Sequence, residues 1–268
     1  MPEPVHSKIS DLVNLEDIRT YWNNQPCNIK HSNKVFLSEE YFKEVSARRY
    51  FVEPHIVDFA DFSSWNGKSV LEVGCGIGTD GAEYSKAGAK YTGIELSDKS
   101  LEIAKERFRL FGLKGDLFQG NAEDLSFIRG QKFDLVYSFG VLHHTLDISK
   151  SIREISSICH ENTSLKLMVY ARNSWKQAMI NAGLDQPEAQ KGCPIAHVFT
   201  NEEIETILNQ CGFKINKISQ AHIFQFNVEK YKQFVYERNH WFECMPDEMI
   251  KALQEQLGWH LLIDASPI

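Results

Sequence analysis

The sequence predicts an α/β fold: a doubly wound sheet of seven strands. Three observations predict it. Strand-like and helix-like runs alternate from residue 69 to about 171, the signature of a mostly parallel sheet covered by helices. The first run ends in a glycine turn, Gly74-Cys-Gly-Ile-Gly78, which suits a backbone that must approach a ligand closely. Two further strand-like runs, Phe213 to Ser219 and Trp259 to Ala265, close the sheet late in the chain.

The elements follow in order. Residues 1 to about 66 precede the first sheet strand and contain two helical stretches, near Asp11 to Trp22 and near Glu39 to Ala60. They are expected to form an N-terminal helical cap, with residues 67–268 as the sheet domain. Aromatic residues crowd the cap, among them Tyr21, Trp22, Tyr41, Phe42 and Tyr50. Some pack on the sheet, and Tyr21 and Trp22 are candidates to close over a substrate. The sheet strands are expected at Ser69 to Val73, Tyr91 to Glu95, Asp116 to Gln119, Phe133 to Phe139 and Leu165 to Tyr170. Between them, Ser100 to Leu110 and Ile148 to Ile158 space apolar residues by three and four, as a helix with one buried face requires. Thr200-Asn-Glu-Glu203 has the spacing of a capping box, and Gly212 is placed to stop the helix it begins. Segments at about 172–199 and 228–257 read as insertions.

Composition narrows the function. The 268 residues carry a formal charge of -7, which argues against a surface built for a phosphate backbone. No apolar run reaches the ~20 residues that a membrane helix needs, and the polar start Met1-Pro-Glu-Pro-Val-His-Ser-Lys8 lacks a signal-peptide core. A cytoplasmic location is therefore expected. Six scattered cysteines form no C-x-x-C pair, so neither a zinc site nor a disulfide framework is expected. No metal ligand set is read from the sequence, and His143 and His144, being adjacent, point in different directions.

The chemistry concentrates around the first glycine turn. Gly76-Ile-Gly-Thr-Asp-Gly81 also satisfies the dinucleotide pattern G-x-G-x-x-G. Glu95, about 20 residues beyond Gly74, suits a ribose hydroxyl pair in either a dinucleotide or a nucleoside cofactor. Glu72 separates the two. It ends the first strand where a dinucleotide would put its pyrophosphate, and a carboxylate there repels that group. S-adenosylmethionine brings a sulfonium and an ammonium instead, which a carboxylate attracts.

On these residues the chain resembles the class I S-adenosylmethionine-dependent methyltransferases, over roughly residues 45 to 221, and the resemblance implies a Rossmann-like seven-stranded sheet whose last strand is antiparallel. Glu72-Val-Gly-Cys-Gly-Ile-Gly78 looks like the family's first motif, and Glu95-Leu96 like its ribose-binding position. Gly120-Asn-Ala-Glu-Asp-Leu125 resembles the loop after the third strand, with Asn121 where the family usually has Asp. Phe133 to Thr145 resembles the fourth strand and its Val-Leu-His-His loop. The resemblance implies a cofactor site from Tyr50, Glu72, Gly74, Cys75, Gly76 and Gly78, continued by Glu95, Leu96, Asn121, Ala122 and Glu123. Ser138, Phe139, Gly140 and Val141 would line it, and Arg49 would meet the cofactor's carboxylate.

Methyl transfer from a sulfonium depends mainly on alignment, and a base is needed only where the acceptor must lose a proton. His144, with His143 beside it, is the candidate base. Tyr170, Arg172 and Asn173 at the end of the fifth strand, with His197 in the following insertion, are candidate acceptor contacts; His222 reads as packing or surface. The fourth strand ends Ser138-Phe-Gly140, without the Asn/Asp-Pro-Pro-Tyr/Phe motif of family members that methylate adenine or glutamine amides. Pro26-Cys27 lies too early to supply a cytosine C5 nucleophile, and the cysteine spacings do not match an arsenic-methylating arrangement. The expected function is methylation of an N or O atom of a small metabolite or natural-product intermediate, by a monomer or homodimer. The alternatives are a nucleotide-dependent oxidoreductase and a catalytically inactive cofactor-binding partner subunit.

Overall fold

The computed structural model describes residues 13–184 and 192–268. The expected helix start at Asp11, the polar segment Met1 to Lys8 and Pro187 lie outside the described residues. Short apolar runs bounded by glycine and polar turns form the central strands, because a parallel sheet is covered on both faces. They are β1 (Ser69–Val73), β2 (Lys90–Glu95), β3 (Asp116–Gln119), β4 (Leu135–Phe139), β5 (Ser164–Ala171), β6 (Val198–Phe199), β7 (Phe213–Ala221) and β8 (His260–Pro267). Their order is β3-β2-β1-β4-β5-β8-β7, with β6 beside β5. β8 runs antiparallel to both neighbours, β5 and β7, as expected of the last strand. The two-residue β6 makes eight strands instead of seven; a run that short carries no readable alternation.

Eleven helices accompany the sheet in the described residues. α1 (Leu15–Asn24), α2 (Glu39–Val52) and α3 (His55–Ala60) precede it; α4 (Thr79–Lys86), α5 (Asp98–Leu110) and α6 (Ile148–Ser157) cross over between its parallel strands. α7 (Trp175–Asn181), α8 (Asn201–Gln210), α9 (Val228–Lys232), α10 (His240–Glu243) and α11 (Asp247–Leu257) follow. The capping box at Thr200 forms, its hydroxyl and the Glu203 carboxylate each accepting the other's backbone N–H. The stretch read as one helix from Glu39 to Ala60 is two: Pro54 disfavours helical backbone at Glu53, and the chain breaks there.

α2 packs on α5 through Tyr41, Phe42, Val45 and Ile103, with the Arg107 guanidinium buried 4.6 Å over the Phe42 ring. Arg19 on α1 pairs with Asp98 at 3.1 Å, and Ser97 donates to Asn23 at 2.7 Å. These contacts hold the N-terminal helices over the carboxyl ends of β1 and β2. The strand order reverses between β1 and β4, so a crevice opens there at the strands' carboxyl ends.

Candidate active site

A cavity of about 420 Å³ fills that crevice and continues under α1, α7 and the 222–242 segment. Its floor begins at the glycine turn. Gly76 has φ +54 and nothing within 4 Å of where a Cβ would stand, so bare backbone faces open space. Glu95 ends β2 with its carboxylate held at both oxygens: Gly76 N–H donates to Oε2 at 2.8 Å and Ser97 N–H to Oε1 at 2.9 Å. Burial raises the Glu95 carboxyl above its ordinary range, and these backbone donors oppose the rise.

Glu72 is also buried and accepts the Tyr91 hydroxyl at 2.6 Å; burial first, then Asp80 nearby, pushes its carboxyl well above the ordinary range. A Cβ at Gly81 would stand 2.2 Å from that hydroxyl and 3.0 Å from Glu72 Oε2. The third glycine of the dinucleotide-like pattern therefore makes room for the Tyr91–Glu72 pair.

Asp80, in the first turn of α4, is the hub that sequence reading missed. It accepts Arg49 Nε at 3.1 Å and Nη2 at 2.9 Å, Tyr50 Oη at 2.9 Å and Tyr137 Oη at 3.1 Å. Its place just after the glycine turn was the available signal. Around the cavity, the acidic side chains of Glu53, Glu72, Asp80, Glu95, Glu123 and Glu229 outnumber the cations Arg49 and Lys176. Such a wall suits a cationic ligand.

Of the residues assigned to the cofactor by resemblance, all but Tyr50, Gly78 and Ser138 line the cavity. The Tyr50 hydroxyl is turned onto Asp80. Gly78 caps α4, its Cα packed against Ala104, and the Ser138 hydroxyl donates to the Val73 carbonyl at 2.9 Å, tying β4 to β1. Arg49 does line it, but with two guanidinium nitrogens committed to Asp80 rather than awaiting a ligand carboxylate. Asn121 lines it, its side-chain oxygen accepting Glu123 N–H at 3.0 Å.

His144 lines the cavity and His143 does not. His143 is wholly buried, its ring 3.8 Å from that of Tyr170, and burial holds it well below its usual range. The Ile195 carbonyl lies 2.6 Å from His144 Nδ1. A carbonyl only accepts, so Nδ1 carries the proton and Nε2, which has no hydrogen-bond partner among the described residues, keeps its lone pair. Burial lowers this imidazole to about 4, so it is neutral near pH 7.

Among the acceptor candidates, Trp22 and Tyr170 line the cavity. Tyr21 packs edge-on behind Trp22 at 5.0 Å. Arg172 points away, onto Glu203 at 2.6 Å and the Val198 carbonyl at 3.0 Å. Asn173 only leads into Ser174, which caps α7, and His197 donates its backbone N–H to the His143 carbonyl; neither side chain lines the cavity. The chain instead brings in residues from its last third. His222 and His260 meet Glu53 from the end of α2, and Trp259 lines the cavity beside them: Glu53 Oε1 lies 3.6 Å from His260 Nε2 and 4.0 Å from His222 Nε2. Behind them His55 Nε2 is 2.9 Å from His260 Nδ1. Burial holds His260 well below its ordinary range and His55 at about 3.

Residues 70–162 match the family model of a methyltransferase domain, and the architecture is that of the class I S-adenosylmethionine-dependent methyltransferases. Among particular proteins, the ubiquinone biosynthesis O-methyltransferase of Aromatoleum aromaticum is 30% identical over 107 residues, 40% of this chain and 46% of that one. Its namesake from Bordetella parapertussis is 35% identical over 95 residues, 35% of this chain and 39% of that one. The chain thus spans about half or less of the length of the curated relatives it matches. The magnesium protoporphyrin IX methyltransferase of Synechocystis PCC 6803, solved with bound SAH, superposes with a TM-score of 0.63 at 16% identity, over 95% of this chain and 100% of that one.

Proposed function

We propose that the protein transfers a methyl group from S-adenosylmethionine to a nitrogen or oxygen atom of a small metabolite or natural-product intermediate. The observation that carries this reading is the acidic floor: Glu95 fixed by two backbone donors beside bare Gly76, with Glu72 and Asp80 behind it. When bound, the cofactor supplies an electrophilic methyl on a cationic sulfur with a neutral leaving group. Glu95 would accept from the ribose hydroxyls, Asn121 from the adenine amino group, and the carboxylates would offset the ligand's positive charges.

Across the cavity, Trp22, Tyr170 and Trp259 would hold the acceptor and exclude water, leaving orientation to supply most of the rate. His144 lines the cavity, but its unpartnered Nε2 is buried, so it would accept a hydrogen bond from an acceptor N–H or O–H only after a small shift of the ring toward the cavity. An imidazole held to about 4 is a weak base, so positioning fits it better than outright deprotonation. The matched relatives' acceptors do not carry over: Trp22, Tyr170, His222 and His260 all lie outside the matched residues 70–162.

The test is incubation of the full chain with metabolite extract and S-adenosylmethionine bearing an isotope-labelled methyl group. Label appearing in a small metabolite, dependent on the protein, supports the reading. Cofactor binding with no labelled product across broad extracts would favour the inactive partner-subunit alternative.

A further inference from the structure

We infer that Glu53, His222 and His260 form a divalent metal site in the acceptor half of the cavity, taking a first-row transition ion such as zinc. One oxygen and two imidazole nitrogens from these residues lie within 4.8 Å of one another, and all three residues line the cavity. Zinc bonds of ~2.0–2.1 Å set tetrahedral donors roughly 3.3 Å apart, so the observed 3.6 and 4.0 Å separations from Glu53 Oε1 need only small side-chain closure. Two imidazoles and one carboxylate are a donor set of catalytic zinc and of non-haem iron, each leaving positions open for a further ligand.

The surroundings orient these donors as an outer shell does. His55 Nε2 lies 2.9 Å from His260 Nδ1; with a metal bound, His260 would donate its Nδ1–H to His55 and present the Nε2 lone pair toward the ion beside Glu53. The Glu53 carboxylate is divided: Oε1 faces the two imidazoles and Oε2 faces Arg49 Nη1 at 3.9 Å. Arg49 would repel a cation, but Asp80 holds it in a bidentate pair that offsets its charge. Lys176, the other cation of the wall, sits 5.1 Å over the Trp259 ring. His222 is held at φ +74, a left-handed backbone rarely adopted outside glycine, which turns its ring against that of His260 at 4.7 Å.

The ion's open positions face the space where an acceptor would lie under the methyl-transfer reading, on which this role alone rests. A hydroxyl or carboxylate oxygen bound there would be polarised and fixed, and its proton released more readily.

The metal-stripped full chain is titrated with Zn²⁺ by calorimetry and its metal content measured after dialysis, with S-adenosylhomocysteine titrated in parallel. One equivalent of zinc at low-micromolar or tighter affinity is expected. Glu53→Gln and His222→Asn should each weaken it at least a hundredfold, and His55→Ala roughly ten- to a hundredfold. A Co²⁺ spectrum without thiolate charge-transfer bands would place the ion on nitrogen and oxygen rather than on a cysteine. Failure of the wild-type chain to bind Zn²⁺, Mn²⁺, Fe²⁺ or Co²⁺ below about 100 µM overturns the site whatever the variants do, as does binding unchanged in Glu53→Gln. S-adenosylhomocysteine binding without metal binding would sink this site and leave the methyltransferase reading standing; metal binding alone would do the reverse.

Discussion

The two halves of the cavity are assembled in different ways. The proposed cofactor half comes from residues 72–80, 94–96, 120–123 and 139–141, each group at or just beyond the carboxyl end of a parallel strand. The acceptor half joins Trp22 of α1 and Glu53 after α2 to Tyr170, His222, Trp259 and His260, more than two hundred positions further along for the last two. Insertion of antiparallel β8 between β5 and β7 makes this joining: His260 pairs with Tyr170 on one side and Ala221 on the other. Under the methyl-transfer reading, local strand–turn–helix units build the part that would hold the cofactor, and long-range pairing builds the part that would choose its acceptor. Asp80 connects them, since it belongs to the glycine-turn helix and grips Arg49, which reaches Glu53.

The largest expected effect follows from cutting that connection. Asp80→Asn leaves the nearly buried Arg49 guanidinium with only the longer 3.9 Å contact to Glu53 as counter-charge and should cost about 3 kcal/mol in thermal or urea unfolding; a loss below 1 kcal/mol would mean that the two halves are not tied through this pair.

Next comes His144. Its folded value of about 4 lies below the ordinary 6.5, so between those values the unfolded chain takes up a proton that the folded chain refuses. The protein loses stability as pH falls through that window, by up to about 3 kcal/mol from this residue. In His144→Asn the loss should be smaller by that amount; parallel stability curves for the two proteins between pH 7 and 4 would remove the buried, neutral imidazole from the account.

Glu95→Ala should weaken S-adenosylhomocysteine binding by about 1–3 kcal/mol in calorimetry, through lost hydrogen bonds and a freed glycine turn. Unchanged affinity would refute its role in the cofactor half. The smallest effect is Glu72→Gln. With its carboxyl raised by burial, Glu72 opposes folding increasingly as pH rises above 4.5, so the variant should gain relative stability at pH 8 over pH 5. It should also bind the cationic S-adenosylmethionine less tightly relative to the neutral-sulfur S-adenosylhomocysteine, by less than tenfold; an unaltered ratio would show that Glu72 does not sense the sulfonium.

The same contrast explains what could be read from the sequence. β1, the glycine turn, Glu95 and the Val-Leu-His-His loop were legible because spacing along one strand–turn–helix unit fixes their positions in space. Tyr50 and Ser138 were drawn toward the ligand by their neighbours, whereas their hydroxyls satisfy Asp80 and the Val73 carbonyl. Arg172 follows a strand end as expected, but Glu203 of the capping box draws it outward. Glu53, His222 and His260 left no local signature, since nothing in a window of ten residues tells that three distant donors converge. His143 and His144 were separable only by partner: one ring packs on Tyr170, the other finds the Ile195 carbonyl.

The central claim is that the acidic, glycine-floored half of the cavity holds S-adenosylmethionine and not a dinucleotide. Calorimetric titration of the full chain with S-adenosylhomocysteine and, separately, with NAD tests it most directly. One-to-one binding of S-adenosylhomocysteine in the micromolar range with no NAD signal is the expected result; tight NAD binding with no response to S-adenosylhomocysteine would contradict it.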